Sequence, residues 1–71
     1  MALFRKLQCR ALMINGSRTS VALEPQFWTV ADKLSKAQGI SLHEWARISL
    51  EQGIGGRASI LRVAILEAVC N

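Results

Sequence analysis

Few side chains in this chain bear on covalent chemistry. There is one histidine, His43, and there are two cysteines, Cys9 and Cys70. His43 has no nucleophile or carboxylate pair around it in sequence, so it reads as an exposed residue at a helix start and not as an acid–base catalyst. Two cysteines and one histidine match neither a disulfide framework nor a structural zinc site, so the cysteines read as free thiols and no metal or other cofactor is implied. Gly53, Gly55 and Gly56 lack the lysine and hydroxyl of a phosphate-binding loop and read as a linker between helices. No catalysis is expected. Recognition chemistry is better represented, in the six residues Arg18 to Leu23. At the strand period of two, Thr19, Val21 and Leu23 share one face and Arg18, Ser20 and Ala22 the other. The first face suits a core; the second offers a guanidinium, a hydroxyl and a methyl to a partner.

The distribution of charge points the same way. The net charge is +4, and it lies entirely before Glu24, where Arg5, Lys6, Arg10 and Arg18 have no acidic counterpart. Beyond that point Lys33, Lys36, Arg47, Arg57 and Arg62 are matched by Glu24, Asp32, Glu44, Glu51 and Glu67. A basic arm leading into a strand is a plausible electrostatic footprint for nucleic acid, because neutralising phosphates supplies much of that binding free energy. A merely solubilising tail is the plainer alternative. Arg5, Lys6 and Arg10 also interrupt the apolar residues of the first fourteen, leaving no signal core and no membrane span. A cytoplasmic protein is expected.

The elements that must position this strand can be read in order. Pro25 suits the first turn of a helix, where its missing N–H costs nothing, and Glu24 sets negative charge at the positive end of the dipole. Phe27, Val30, Ala31, Leu34 and Ala37 then recur at spacings of three and four, predicting a helix over 25–38 that ends at Gly39. Ser41-Leu42-His43-Glu44 has the form of a capping box, flanked by Ile40 and Trp45 at hydrophobic-staple positions, and predicts a second helix over 42–52. A third is predicted over 57–70. Its apolar residues leave almost no polar side, and a single domain of 71 residues has no interior that surrounds such a helix. Burial is therefore expected from a second copy. Trp28 and Trp45 read as core or interface residues in preference to stacking platforms for bases. Residues 1–17 form a separate basic arm. Within it Leu12-Met13-Ile14 before Asn15-Gly16 allows a second strand with a tight turn, while the first ten residues are equally compatible with a short helix or an unstructured arm.

A lone strand followed by helices leaves its backbone groups unpaired. Two copies pairing antiparallel through 18–23 would satisfy them, and a two-stranded ribbon fits the major groove of B-DNA. The order of strand, Pro-started helix, glycine turn and Ser-capped helix resembles the ribbon-helix-helix DNA-binding fold over roughly Arg18 to Val69. The likeness is nearest to a bacterial subgroup with an extra C-terminal helix. It is carried by Thr19 to Glu24 (Thr-Ser-Val-Ala-Leu-Glu), Phe27-Trp28, Gly39 to Leu42 (Gly-Ile-Ser-Leu) and Leu61-Arg62-Val63.

The resemblance implies a mostly α fold with a short β-strand. It implies an intertwined homodimer with an intermolecular antiparallel ribbon, whose core would hold Thr19, Val21, Leu23, Phe27, Leu34 and Trp45. By the same resemblance Arg18, Ser20 and Ala22 would read bases, and the amides at Ser41 and Leu42 would hold a phosphate, in keeping with anion binding at helix N-termini. Ala22 departs from the family, where a polar residue is expected; its methyl can touch only another apolar group, such as that of thymine. Arg5, Lys6 and Arg10 would add affinity that is insensitive to sequence. The expected function is a dimeric, repressor-like transcriptional regulator, bacterial or phage, that binds double-stranded DNA. The alternative is a protein-interaction module, antitoxin-like or an assembly subunit, that docks through the 58–69 helix. Dimer and higher oligomer both stay open.

Overall fold

The computed structural model describes residues 6–70. Strands β1 (Gln8–Ile14) and β2 (Ser17–Leu23) lead into three helices, α1 (Pro25–Ala37), α2 (Leu42–Gln52) and α3 (Arg57–Cys70). The strands form one antiparallel sheet, with Gln8 opposite Leu23, Leu12 opposite Thr19 and Ile14 opposite Ser17. Between them Asn15 (φ 53°) and Gly16 (φ 80°) both adopt positive φ, the backbone of a type I′ turn whose twist matches that of the flanking strands. In this chain the first partner of β2 is thus its own β1. β2 therefore needs no second copy to pair one of its edges, because the Asn-Gly turn supplies a partner locally.

One face of the hairpin lies on the helices. Leu12, Val21 and Leu23 are buried in a core shared with Trp28 and Ala31 of α1, Trp45 and Ala46 of α2, and Leu61 and Ile65 of α3. Phe27 and Leu34 pack at its margin, and Thr19 is half-buried. The residues expected to close a dimer core therefore contribute to a core within one chain.

Polar ties fix the sheet to the helices. The Trp28 indole N–H donates to the Gln8 carbonyl at 2.6 Å. Arg10, on the helix-facing side, reaches Asp32 of α1 at 3.4 Å and lies 5.0 Å over the Trp28 ring, within cation–π range. At the same open end of the hairpin, just past Leu23 opposite Gln8, Glu24 accepts from the Arg62 guanidinium of α3 at 3.0 and 3.2 Å. That contact holds the Glu24 carboxyl below its usual range, first through the hydrogen bonds from Arg62.

The helix ends follow local rules with one exception. Gly39 (φ 72°) closes α1, and the Ile40 N–H returns to the Ser35 carbonyl at 3.0 Å. The Ser41 hydroxyl accepts from the Glu44 N–H at 3.1 Å, capping α2. The reciprocal half of the expected capping box is absent. Glu44 is turned instead to Arg47, whose Nε and terminal nitrogen donate to it at 3.0 and 2.6 Å. Arg47 also reaches Glu51 at 2.6 Å. A bidentate guanidinium is a stronger partner than one amide N–H.

Gly53 has a role beyond that of a linker. A Cβ built there would sit 2.8 Å from Cγ1 of Ile60 and closer still to Cγ2, so the turn between α2 and α3 requires a residue without one. Gly53→Ala should destabilise the fold by about 1–3 kcal/mol through overpacking. Gly56→Ala, with open space around its Cβ, should cost less; equal urea midpoints for the two variants would refute the close-packing account. Because the folded pKa of Glu24 is depressed, the Glu24–Arg62 contact stabilises above the unfolded carboxylate range and is lost as pH falls, below about pH 4. Glu24→Gln should therefore show a flatter decline in thermal midpoint through that window than the unsubstituted chain. A parallel decline would show that the pair contributes nothing.

Candidate nucleic-acid interface

The hairpin's second face is turned away from the helices and is the most distinctive surface of the fold. The cross-strand register places Cys9 opposite Ala22, Ala11 opposite Ser20 and Met13 opposite Arg18. Because opposed residues share a face, these six side chains form two adjacent rows. Arg18, Ser20, Cys9, Ala11 and Met13 are exposed and Ala22 is half-buried. Arg18 is the sole charged residue in the two rows. Sequence periodicity identified the β2 row but not the β1 row; the Asn-Gly turn fixes the register from which it could have been found.

The edges of the hairpin differ. Ile14 and Ser17 flank a two-residue turn, where the opposed pair is hydrogen-bonded and the pairs then alternate. The N–H and C=O groups of Arg18, Ser20 and Ala22 consequently point away from β1, along the free edge of β2. Among the described residues they have no backbone partner in another element. The corresponding edge of β1 is engaged by α2. The Met13 N–H donates to His43 Nδ1 at 2.9 Å, which requires that nitrogen to be unprotonated and leaves any ring hydrogen on Nε2.

This bond brings two predicted sites together. Arg18 is opposite Met13, Met13 is bonded to His43, and His43 lies in the first turn of α2, whose cap is Ser41. The Leu42 and His43 N–H groups have no backbone acceptor among the described residues, as is usual for first-turn amides. The outward row and the helix start are thereby joined by a hydrogen bond. An unpartnered helix N-terminus suits an anion.

The cations divide into two groups. Arg10, Arg47 and Arg62 are each held by a carboxylate, whereas Arg18, like Lys33, Lys36 and Arg57 on the helices, has no acidic partner within 4 Å among the described residues. Lys6 is exposed ahead of β1, and Arg5 lies outside the described residues. Arg10 does not join Arg18: its guanidinium is on the opposite face of the sheet, engaged by Asp32 and Trp28. Its place in the inward row follows from the alternation of β1, which put Leu12 and Ile14 on the same side.

Among the described residues no group of three or more histidine, cysteine or acidic side chains could hold a metal ion, and no helix is long and apolar enough to cross a membrane. The α3 helix buries Leu61 and Ile65 but leaves Val63, Leu66 and Val69 about half exposed, at 52%, 49% and 55%. Burial on most sides, expected from its composition, is not reached within one chain.

A sequence profile of the family described as a ribbon-helix-helix domain matches residues 7–69, from the residue before β1 to the last turn of α3. No curated protein and no solved structure matches the chain. Domains of this family generally bind double-stranded DNA as dimers, serve as transcriptional regulators or antitoxins, and are typically non-enzymatic. With strand, paired helices and C-terminal helix all inside the match, the chain belongs to the ribbon-helix-helix domain family.

Proposed function

We propose that this protein is a homodimeric, repressor-like transcriptional regulator, bacterial or phage and cytoplasmic, that binds a specific double-stranded DNA site and performs no catalysis. Two copies join along the free edge of β2, which sets their Arg18–Ser20–Ala22 rows side by side as the central ribbon of a sheet flanked by the two β1 strands. Such a ribbon can enter the major groove, where Arg18 donates to guanine, Ser20 contacts a base edge and Ala22 offers its methyl. The Ser41 and Leu42 helix start holds a backbone phosphate, and Lys6 with Arg5 adds attraction that is indifferent to sequence. Arg10 is left out of this set, because contact with phosphate would require it to leave Asp32.

The observation that carries this reading is the Met13–His43 hydrogen bond. It sets the row containing the unpaired Arg18 at a fixed position relative to the start of α2. A base-reading group and a phosphate-holding group must keep a fixed separation if binding is to have a register.

A second reading is favoured by the exposed Val63, Leu66 and Val69: a protein-interaction module that docks a partner on the 58–69 helix. The two readings differ in their response to salt and sequence. Selection of bound duplexes from a random pool should return one preferred site, with affinity falling steeply as salt rises. Arg18→Ala should weaken that site by about 1–3 kcal/mol and relax the preference at one position, with little change on random DNA. Arg57→Ala, at the start of α3, should leave the preference intact. Equal affinity of Arg18→Ala and the unsubstituted protein for the selected site would overturn the assignment. Salt-insensitive capture of a protein, with no selected DNA, would support the module instead.

A further inference from the structure

We infer that the outward row of β1 takes part in recognition and that Met13 is a specificity-determining residue, selecting a thymine by contact with its 5-methyl group. The inference rests on the DNA-binding reading above and extends it to a strand outside the paired-copy ribbon.

Met13 is 53% exposed on a face otherwise made of small or polar side chains: Cys9, Ala11, Ser20, Ala22 and Arg18. It therefore stands above its neighbours and is the one large apolar group there. The large apolar residues of the hairpin's inward face are accounted for: Leu12, Val21 and Leu23 are buried, and Ile14 packs against the core. Exposure of a flexible thioether beside an unpaired arginine calls for a partner that is apolar at one point and rich in acceptors at the next. The major-groove edge of DNA has that character. Guanine presents two acceptors to a guanidinium, while thymine presents a methyl at the margin of the groove.

The position of β1 fits that margin. In the paired arrangement β1 lies one strand spacing, about 4.8 Å, outside the central β2 ribbon. Its long side chain is therefore displaced towards the groove wall. Its backbone is held there, because the Met13 N–H is fixed by His43 at 2.9 Å. Met13 and Arg18 are directly opposed, and their pair is of the closer, non-hydrogen-bonded kind. The two should thus read adjacent positions, a thymine beside the guanine bound by Arg18.

The test uses the duplex selected by the unsubstituted full chain and copies of it in which single thymines are replaced by uracil, which removes only the methyl. At one position next to the Arg18-dependent guanine, uracil should weaken binding by the unsubstituted chain about fourfold, as expected for one lost apolar carbon contact. Met13→Ala should lose a similar factor on the thymine duplex and show no further loss on the uracil duplex. Met13→Leu should stay close to the unsubstituted chain. Both variants keep the backbone N–H that bonds His43, and circular dichroism serves as the check on folding. The inference is overturned if Met13→Ala retains full affinity, or if it shows the same thymine-to-uracil ratio as the unsubstituted chain. Selection of no preferred duplex would overturn the DNA-binding reading itself, and this inference with it.

Discussion

Antiparallel pairing of Gln8–Ile14 with Ser17–Leu23 is the constraint from which the other features of this chain follow. A two-residue turn with positive φ at Asn15 and Gly16 sets the register, and the register sorts every side chain of the hairpin to one face or the other. Leu12, Val21 and Leu23 go to the helices and are buried. Arg18, Ser20 and Met13 go outward and stay exposed. A slip of one residue would exchange the two sets, exposing the core and burying a charge. The same alternation leaves the β2 edge open and directs the Met13 N–H to His43, so one choice of register sets the outward face, the free edge and the tie to α2.

Charge is organised around that choice. The carboxylates Glu24, Asp32, Glu44 and Glu51 are each engaged by an arginine, and the ties at Glu24 and Asp32 join separate elements. Glu44 and Arg47 shift in the directions such contacts require: the guanidinium hydrogen bonds lower the Glu44 carboxyl, and Glu44 first raises Arg47. None of these acids belongs to the outward rows of the hairpin. An unneutralised cation on an exposed sheet face is costly to pair with protein but well suited to a polyanion. Each exposed ion pair adds little stability by itself; among the described residues Arg18, like Lys33, Lys36 and Arg57, is in none of them.

Much of this was legible in the residues. The period of Phe27, Val30 and Leu34, the Pro25 start, the Gly39 stop and the Ser41 cap all act within a turn or two of chain, which is the range over which sequence pattern is reliable. Alternation in Arg18–Leu23 likewise separated the outward from the inward row. Features that depend on distant partners were not legible. Arg10 looked like one more cation of a basic arm, and only the fold brings Asp32 and Trp28 to it. The Ser41–Glu44 spacing makes Glu44 half of a capping box, whereas in the fold Arg47 competes for the carboxylate from one turn later. From sequence Gly53 is only a linker residue, because its close neighbour, Ile60, lies across a turn whose path no local rule predicts. The β1 row was reachable from the Asn-Gly turn, but the first ten residues carried no period strong enough to choose strand over helix.

The central claim is that the outward face of the hairpin, joined to the start of α2, is the DNA-contacting surface. It is tested most directly by following backbone amide resonances of the full chain as a selected duplex is added. The account predicts that the largest shifts fall on Met13, Arg18, Ser20, Ala22, Leu42 and His43, with Val63, Leu66 and Val69 unmoved. Shifts confined to α3, or a hairpin face that does not respond, would contradict it.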